Sequence, residues 1–370
     1  MTKFNEFELL PTLLKTLKEK GLKKPTEIQT KIIPLMLAGE SVVGIAETGS
    51  GKTLAYGLPL LHAIKTLELE GEHVTDAGTP KAIVMVPTRD LGEQIAKVFK
   101  TLTHDTRLRV RPALGGMPLE QARRNVSNPF EILLATPGRL VQLMKAKLID
   151  LSEVKVLIFD EADQMMDESF LSDSEMIAEA CPDEIQLALF SATENDTVRK
   201  MMETLFTKAN VIRTGGSGKT VATLKTKNLK VEDGKRWPVL EKILKDKIEG
   251  GTMLFTNTRE QCDKLAQLLQ DNDYTCGIYR GDLDKVVRRK TIQAFRDGKM
   301  KFLVSTDLGG RGLDIENVER VINYHMPKEL ENYIHRAGRT ARAGREGSVF
   351  NLITERDEKI IAKVRALKDQ

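Results

Sequence analysis

The segment VVGIAETGSGKT, residues 42–53, decides the fold of the first half of the chain. Its apolar first part predicts a buried strand, and the residues from Leu54 onward predict a helix. Glycines in the turn between them let backbone N–H groups converge on phosphates, and the start of the helix adds partial positive charge. This context predicts a nucleotide phosphate site in which Lys52 reaches the β and γ phosphates and the Thr53 hydroxyl holds Mg²⁺.

A second strand-and-turn motif carries carboxylates. The apolar run 156–159 ends in the sequence DEAD at 160–163. Acidic residues at the carboxyl end of a parallel strand face the crevice where open α/β sheets bind ligands. We expect Asp160 to hold Mg²⁺ and Glu161 to orient and deprotonate the attacking water, because phosphoryl transfer depends mostly on positioning and charge neutralisation. Alone, the motif is equally compatible with an acidic surface turn, but together with the phosphate loop it predicts nucleotide hydrolysis.

Composition sets broad limits. A chain of 370 residues is too long for one ordinary domain and comfortable for two. The net charge of +4 permits an anionic partner without identifying one. The cysteines have no CxxC spacing, so we expect neither a disulfide framework nor a zinc site, and a reducing cytosol fits; they are Cys181, Cys262 and Cys276. Because there is no signal-peptide pattern and no apolar run long enough to cross a bilayer, we expect a cytoplasmic protein without membrane contact.

Strands and amphipathic helices alternate along both halves, which predicts an α/β fold with parallel sheets. In the first half, strands are predicted at 42–46, 82–86, 109–114, 131–135, 155–159, 187–191 and 210–213. In the second half, strands are predicted at 226–231, 252–256, 276–280, 301–305, 319–324 and 348–353. Second-half helices are predicted at 236–248, 259–271, 284–296, 329–337 and 355–367.

A small, polar, glycine-rich segment separates the halves and predicts an interdomain linker at 214–224. The predicted domains are therefore 1–213 and 225–370. The linker sequence TGGSGKT mimics a second phosphate loop. However, the required first glycine would fall at Arg213, and the following residues alternate like a strand instead of opening a helix. We therefore expect no second nucleotide site.

Further short motifs accompany these two in a fixed order. They are Phe4 with GLKKPTEIQ (21–29), PTRDL (87–91), GG (115–116), TPGR (136–139), SAT (191–193), STD (305–307), RGLD (311–314) and HRAGRTAR (335–342). With DEAD, they resemble the DEAD-box ATP-dependent RNA helicases of superfamily 2 over almost the whole chain. Ala46, in place of the usual first glycine of the phosphate loop, is typical of helicases. The resemblance implies two tandem RecA-like parallel-sheet domains joined by a short flexible linker.

The resemblance implies an ATP site. Gln29 is expected to make bidentate hydrogen bonds to the adenine edge, which would favour ATP over GTP. The family usually has an aromatic residue at the position of Leu22, so stacking on adenine is lost and we expect weaker ATP affinity. Other nucleotide contacts are implied for Phe4, Thr48, Gly49, Ser50, Gly51, Lys52, Thr53, Asp160, Arg311, Asp314, Arg339 and Arg342.

The resemblance also implies catalytic residues in the second domain. Arg339 and Arg342 would reach the γ-phosphate as arginine fingers, a role worth roughly 10³–10⁵ in kcat in other phosphoryl-transfer enzymes. Judged by charge alone, these arginines would belong to a solvated basic face. His335 would complete the catalytic set of Lys52, Asp160, Glu161, Arg339 and Arg342. It would also link HRAGRTAR (335–342), the sixth motif of the family, to the coupling residues Asp163, Ser191 and Thr193.

The expected RNA surface grips the backbone. Thr88 and Thr136 each follow a buried strand and open a helix, where hydroxyl and N–H groups can bind phosphate without sequence preference. Lys285 replaces a family glutamine, so that contact becomes a point charge. Binding to single strands and short duplexes should be salt-sensitive. The resemblance extends the same role to Arg89, Gly116, Arg139, Arg288 and Thr306.

The implied activity is RNA-stimulated ATP hydrolysis, coupled to closure of an interdomain cleft and local duplex unwinding. We expect a monomer that protein partners direct or activate. Three other interpretations stay open: a slow ATP-gated RNA clamp that scaffolds proteins, a DNA helicase of related architecture, and a phosphate-loop switch without nucleic acid. Glu161, Arg339 and Arg342 argue against an inactive enzyme. The Gln29 motif and the DEAD spelling favour RNA over DNA. A phosphate-loop switch without nucleic acid would leave the motifs PTRDL (87–91) and TPGR (136–139) unexplained.

Overall fold

The chain divides into two compact units, Met1–Gly215 (unit 1) and Gly216–Gln370 (unit 2). A computed structural model describes residues 2–165, 168–214, 224–246, 248–307, 318–340 and 347–366. The predicted linker lies outside these residues except for Thr214 and Leu224.

Unit 1 begins with a 3₁₀ turn at Phe4–Phe7 and then alternates helices and strands. Its described helices are α1 (Pro11–Glu19), α2 (Glu27–Leu37), α3 (Lys52–Leu69), α4 (Arg89–Leu102), α5 (Leu119–Val126), α6 (Pro137–Lys145), α7 (Glu168–Glu179) and α8 (Asp196–Thr204). Its strands are β1 (Val42–Ile45), β2 (Ala82–Met85), β3 (Val110–Ala113), β4 (Ile132–Ala135), β5 (Val156–Phe159), β6 (Gln186–Ser191) and β7 (Asn210–Arg213).

The unit 1 strands form one parallel sheet in the order β3-β4-β2-β5-β6-β1-β7. Strands β1, β2, β4 and β5 are buried at every position. Because helices cover both faces of such a sheet, these strands have continuous apolar runs instead of alternation. The carboxyl ends of β1, β6 and β5 lie side by side, so the segments that follow them, with the phosphate loop, SAT and DEAD motifs, meet at one edge.

Helix α2 packs closely on β1 at Gly44. A Cβ atom at Gly44 would lie 2.6 Å from Ile32 Cδ1 and 2.9 Å from the Phe190 ring. Ile32 lies on α2 and Phe190 on β6, so any larger residue would push the helix off the sheet. This close approach fixes α2, which carries Gln29 in its first turn, against the strand that leads into the phosphate loop.

Unit 2 forms a second parallel sheet in the order β10-β11-β9-β12-β13-β8. Its strands are β8 (Lys225–Lys230), β9 (Gly251–Thr256), β10 (Cys276–Tyr279), β11 (Phe302–Thr306), β12 (Val318–Asn323) and β13 (Ser348–Ile353). Its described helices are α9 (Arg236–Lys245), α10 (Arg259–Gln270), α11 (Lys285–Arg296), α12 (Leu330–Ala337) and α13 (Glu358–Ala366).

These two parallel sheets confirm the predicted α/β fold. Every predicted strand is present within one residue of its predicted bounds. The helix predicted at 236–248 already ends at Lys245, where Arg320 donates to the carbonyl of Ile243 at 2.6 Å. Within the described residues, none of the helices combines the length and apolar character that a membrane crossing requires.

Candidate active site and nucleic-acid interface

The phosphate loop leaves β1 and ends at the first residue of α3. Gly49 and Gly51 have φ values of 88° and 90°, a left-handed conformation that favours glycine. Ser50 closes the turn, because its hydroxyl donates to the Glu47 carbonyl at 2.7 Å. Gly51 is the N-cap residue of α3. The sequence therefore builds a glycine turn that points the start of an 18-residue helix into the loop.

Lys52 is buried at the head of α3, with 7% of its surface exposed. Its ammonium donates to the carbonyl of Ala46 at 2.5 Å and to the carbonyl of Glu47 at 3.2 Å. An ammonium can donate three hydrogen bonds. The lysine therefore spans the inside of the loop, where it can face phosphate oxygens.

Gln29 connects the adenine motif to the phosphate loop. Its Oε1 accepts from the Thr26 N–H at 2.9 Å, and its Nε2 donates to the Gly51 carbonyl at 3.0 Å. The side chain is only 3% exposed. A primary amide has two donor hydrogens and two acceptor lone pairs, so one of each remains for a ligand. Leu22, in contrast, exposes 39% of its surface, and Phe4 packs in the core with 5% exposed.

Asp160 is a buried carboxylate at the end of β5, and both of its oxygens accept hydrogen bonds. Its Oδ1 accepts from the Glu161 N–H at 2.9 Å, and its Oδ2 accepts from the Tyr56 hydroxyl at 2.8 Å. Burial, followed by the charge of Glu161, raises the pKa of Asp160 from 3.8 to about 6, while Lys52 and the two donors act in the opposite direction. A cation near this carboxylate would therefore meet a local excess of negative charge.

Glu161 has a left-handed backbone with φ of 52°, which is uncommon for a residue other than glycine. Its side chain is 7% exposed and accepts a hydrogen bond from the Gln164 amide, one turn later in the short helix Ala162–Gln164. Gln164 Oε1 is buried and has no hydrogen-bond partner among the described residues. The Gln164 contact helps to hold Glu161 in this uncommon conformation at the sheet edge.

Asp163 joins the DEAD segment to the end of β6. Its Oδ2 accepts from the Thr193 N–H at 3.0 Å and from the Thr193 hydroxyl at 2.9 Å. Ser191 donates to the Thr193 carbonyl at 2.7 Å, and Asn195 donates to the Asp163 carbonyl at 3.0 Å. The three predicted coupling residues of unit 1 therefore form one hydrogen-bonded group.

The candidate RNA residues of unit 1 surround the loop that follows β3. Arg89 donates to the Gly116 carbonyl at 2.6 Å, and Arg139 donates to the Met117 carbonyl at 2.7 Å. The Thr136 hydroxyl accepts from the Gly115 N–H at 2.8 Å. Thr88, the N-cap residue of α4, accepts from the Leu91 N–H at 3.3 Å. Motifs that lie far apart in the sequence therefore meet at the carboxyl ends of β2, β3 and β4.

In unit 2, the sixth motif lies on α12 and the turn after it. Arg339 is 2% exposed, and its Nε donates to the His335 carbonyl at 3.0 Å. Thr306, at the end of β11, is 9% exposed. Arg288 lies on α11 and is partly exposed. Four sequence predictions lie outside the described residues, namely Arg311, Asp314, Arg342 and the side chain of Lys285.

Arg336, in the HRAGRTAR segment, was not among the predicted site residues, but it makes several side-chain hydrogen bonds. It is 1% exposed and donates to Asp307 Oδ2 at 2.8 Å, to Asn257 Oδ1 at 2.9 Å and to the His325 carbonyl at 2.7 Å. These bonds fasten α12 to the ends of β9, β11 and β12. Arg336 therefore fixes the helix that precedes the turn carrying Arg339.

Two family models match the chain. The DEAD/DEAH box helicase model matches residues 26–201, and the helicase conserved C-terminal domain model matches residues 235–344. The ATP-dependent RNA helicase CshA of Listeria monocytogenes is 34% identical over 357 residues, which cover 96% of this chain and 67% of the relative. The chain belongs to the DEAD-box ATP-dependent RNA helicase family.

Two further comparisons agree with this assignment. The DEAD-box ATP-dependent RNA helicase RhpA of Helicobacter pylori is 34% identical to this DEAD-box helicase, over 98% of this chain and 72% of the relative. The solved structure of S. cerevisiae Dbp5 bound to RNA and ADP BeF3 is 26% identical. Its match covers 100% of this chain and 94% of that chain, with a TM-score of 0.85.

Besides Arg336, two residues of this DEAD-box helicase site escaped the sequence analysis. Tyr56 follows Thr53 by one helical turn, and Gln164 follows DEAD directly. The only sequence signal for Tyr56 is a hydroxyl in an otherwise apolar part of α3. The structure shows that this position is fully buried. A buried tyrosine hydroxyl requires a partner, but the sequence does not indicate that the partner lies 104 residues later.

Thr53, in the first turn of α3, and Asp160, directly after β5, fit a magnesium ion. They offer a hydroxyl and a carboxylate, which are hard oxygen ligands, and the charge of the neighbouring Glu161 adds to the attraction for a cation. Within the described ranges, there is no group of three or more His, Cys, Asp or Glu side chains that could hold a metal. In nucleotide sites Mg²⁺ typically uses one or two carboxylates together with water and phosphate oxygens.

Proposed function

We propose that this DEAD-box helicase binds and hydrolyses ATP at the head of α3 and that RNA stimulates this hydrolysis. The observation that carries the proposal is the convergence of buried Lys52 with the buried carboxylates Asp160 and Glu161. Three charged side chains with 7% exposure or less are costly to bury. A site that binds phosphate together with a cation would be a physical reason for burying these three charged side chains next to one another.

In this proposal Lys52 binds the β and γ phosphates. In the structure its ammonium donates to two neutral carbonyl oxygens of the loop. A charge-assisted hydrogen bond to a phosphate oxygen is roughly twice as strong as a neutral one, so phosphate can replace these partners. The positive end of the α3 dipole would add to the attraction.

Glu161 is proposed as the residue that orients and deprotonates the attacking water. Its contact with Gln164 leaves the other carboxylate oxygen, Oε1, for that water. Thr53 and Asp160 are the residues proposed to hold Mg²⁺. The ion would neutralise phosphate charge during transfer.

Adenine recognition is proposed for Gln29, through the donor and the acceptor that its contacts with Thr26 and Gly51 leave unused. Leu22 offers an exposed apolar surface for the base. Phe4 is proposed to act from the core, as support for this end of the site. The phosphate contacts are proposed for Thr48, Gly49, Ser50, Gly51, Lys52 and Thr53.

Arg339, Arg342 and His335 are proposed as the contribution of unit 2 to turnover, with Arg311 and Asp314 as further nucleotide contacts. Arg339 and Arg342 would act as arginine fingers. Making hydrolysis depend on residues of a second unit would couple it to domain movement. His335 would communicate with the group formed by Asp163, Ser191 and Thr193.

RNA is proposed to bind through its backbone. Arg89 and Arg139 place positive charge beside the loop that follows β3, because each donates to a carbonyl oxygen of that loop. Arg139 Nη1 is buried with no hydrogen-bond partner among the described residues. Thr88 and Thr136 present the starts of α4 and α6 to phosphate. The remaining proposed contacts are Gly116, Arg288 and Thr306.

Because backbone contacts carry no sequence information, target choice is proposed to lie with protein partners. The chain itself is proposed to be a monomer. Light scattering during gel filtration tests the oligomeric state, and a stable dimer would contradict it.

Steady-state ATP hydrolysis with and without single-stranded RNA tests the proposed function, with matched DNA and the Lys52→Ala chain as controls. We expect strong stimulation by RNA and none in the Lys52→Ala chain. Hydrolysis without stimulation would favour a slow clamp or an enzyme that requires a partner. Equal stimulation by DNA would contradict the choice of RNA as substrate.

A further inference from the structure

The Tyr56 hydroxyl lies between the two residues that are proposed to hold Mg²⁺. It donates to Asp160 Oδ2 at 2.8 Å, and it also interacts with the side chain of Thr53, one turn earlier on α3. Thr53 belongs to the phosphate loop and Asp160 to the DEAD motif. Tyr56 therefore connects the two motifs through one side chain.

The ring of Tyr56 is held rigidly. It is fully buried, and its centroid lies 5.1 Å from that of Phe190 and 6.3 Å from that of Phe99. These two phenylalanines lie on β6 and α4, on either side of the space between helix and sheet. A ring clamped in this way has one position available for its hydroxyl, so the hydrogen bond to Asp160 has a defined direction.

The hydrogen bond from Tyr56 also fixes the orientation of the Asp160 carboxylate. Asp160 Oδ1 accepts from the Glu161 N–H, so the two oxygens have separate donors and the carboxylate plane cannot rotate without breaking one of them. Each oxygen keeps one further lone pair. Partners of this kind orient metal ligands in other proteins, and their removal typically costs about 10–100-fold in metal affinity or activity.

We propose that Tyr56 is a positioning residue for magnesium, because its hydroxyl fixes the Asp160 carboxylate relative to Thr53. This inference rests on the proposed function, since it assumes that Asp160 and Thr53 are the metal ligands. In this role Tyr56 is not itself a ligand of the metal. It acts on the metal through the orientation of Asp160.

The test compares Mn²⁺ binding, measured by electron paramagnetic resonance in the presence of ADP, for the wild-type and Tyr56→Phe chains. Phenylalanine preserves the ring contacts and removes only the hydroxyl. We expect Mn²⁺ affinity to fall about tenfold, the lower end of the range for such partners. The Tyr274→Phe chain, which loses a hydroxyl from a half-buried ring of unit 2, is the matched control and should keep wild-type affinity.

A second chain, Asp160→Asn, separates failure of this inference from failure of the proposed function. If Asp160→Asn loses Mn²⁺ affinity and Tyr56→Phe does not, Asp160 remains a ligand and the positioning role of Tyr56 is wrong. If neither substitution changes Mn²⁺ affinity, the proposed metal site itself is wrong. The double variant should bind Mn²⁺ no more weakly than Asp160→Asn alone, because Tyr56 acts through Asp160.

A measurement on the intact hydroxyl covers the case in which Tyr56→Phe does not fold. With 3-fluorotyrosine incorporated only at position 56, the ¹⁹F resonance should move when Mg²⁺ is added to the ADP complex. The same resonance should stay in place in the Asp160→Asn chain. A resonance that ignores Mg²⁺ in the otherwise wild-type chain would overturn the proposal.

Discussion

Replacement of Asp160 by asparagine should make unit 1 more stable while it removes activity. Burial raises the folded pKa of Asp160 to about 6 from an ordinary value of 3.8. The folded state therefore binds the proton more tightly than the unfolded chain, and ionisation of Asp160 opposes folding. This penalty is absent well below pH 4, grows as the pH rises and levels off above pH 6.

The magnitude follows from the size of the pKa shift. About two pKa units at roughly 1.4 kcal/mol each give a penalty of about 3 kcal/mol at pH 7.5 and about half of that at pH 5. Asparagine removes the charge and keeps the shape. Its carbonyl can accept from the Glu161 N–H, and the Tyr56 hydroxyl can rotate to accept from the new amide.

The assay is urea unfolding in EDTA at pH 7.5 and pH 5, followed by pulsed hydrogen exchange in peptides from α3 and β5. The single tryptophan, Trp237, lies in unit 2, so its fluorescence follows that unit separately. Asp76→Asn, which removes an exposed carboxylate of unit 1, is the matched control for buffer effects.

We expect the free energy of unfolding of unit 1 to rise by about 3 kcal/mol at pH 7.5 in the Asp160→Asn chain, and by about half of that at pH 5. An Asp160→Asn chain that is no more stable than wild type at pH 7.5 would refute the reasoning. So would a gain that is equal at both pH values, because the effect would then not come from the ionisation of Asp160.

Three further outcomes can be measured. Lys52→Ala should lower ATP turnover by at least about a hundredfold, as loss of one preorganised donor does elsewhere, and near-normal steady-state hydrolysis would place the phosphate site elsewhere. Glu161→Gln should hydrolyse ATP slowly but retain ATP and RNA together, since glutamine can still accept from Gln164; rapid RNA release in a filter-binding chase would count against Glu161 as the base. Arg139→Ala should weaken RNA binding and reduce the slope of log affinity against log salt by about one. Arg123→Ala, which removes an exposed arginine paired with Glu120, should change neither quantity.

Local patterns were sufficient to predict the sheets. The strands VVGI and VLIF are buried at every position. Each therefore appears in the sequence as a continuous apolar run of about the same length as the strand, and this run identifies the strand. The end of α9 was predicted three residues too late, because the bond from Arg320 to the Ile243 carbonyl comes from another element. Propensity near a helix end cannot anticipate such a contact.

The phosphate loop was predictable because its chemistry is local: glycines, lysine and threonine follow one another in sequence. The supports of the site were not, because they depend on contacts across the chain. Tyr56 meets Asp160 across 104 positions, and Gln29 meets Gly51 across 22. For Gln29, moreover, the sequence indicated a ligand contact but not that the side chain already holds the loop.

Helix α3 explains why so many functions depend on one stretch of sequence. The carbonyl of its N-cap residue, Gly51, accepts a hydrogen bond from the Gln29 amide, and its first residue is Lys52. Its second turn contains Tyr56, which donates a hydrogen bond to Asp160. A Cβ atom at Gly51 would lie 2.3 Å from Gln29 Nε2, so the Gln29 side chain packs directly against the loop. A shift of the first turns of α3 would therefore displace the proposed adenine and phosphate contacts and the Asp160 carboxylate together. In the proposed function, the base, the phosphates and the metal would thus be positioned by one helix instead of three independent loops.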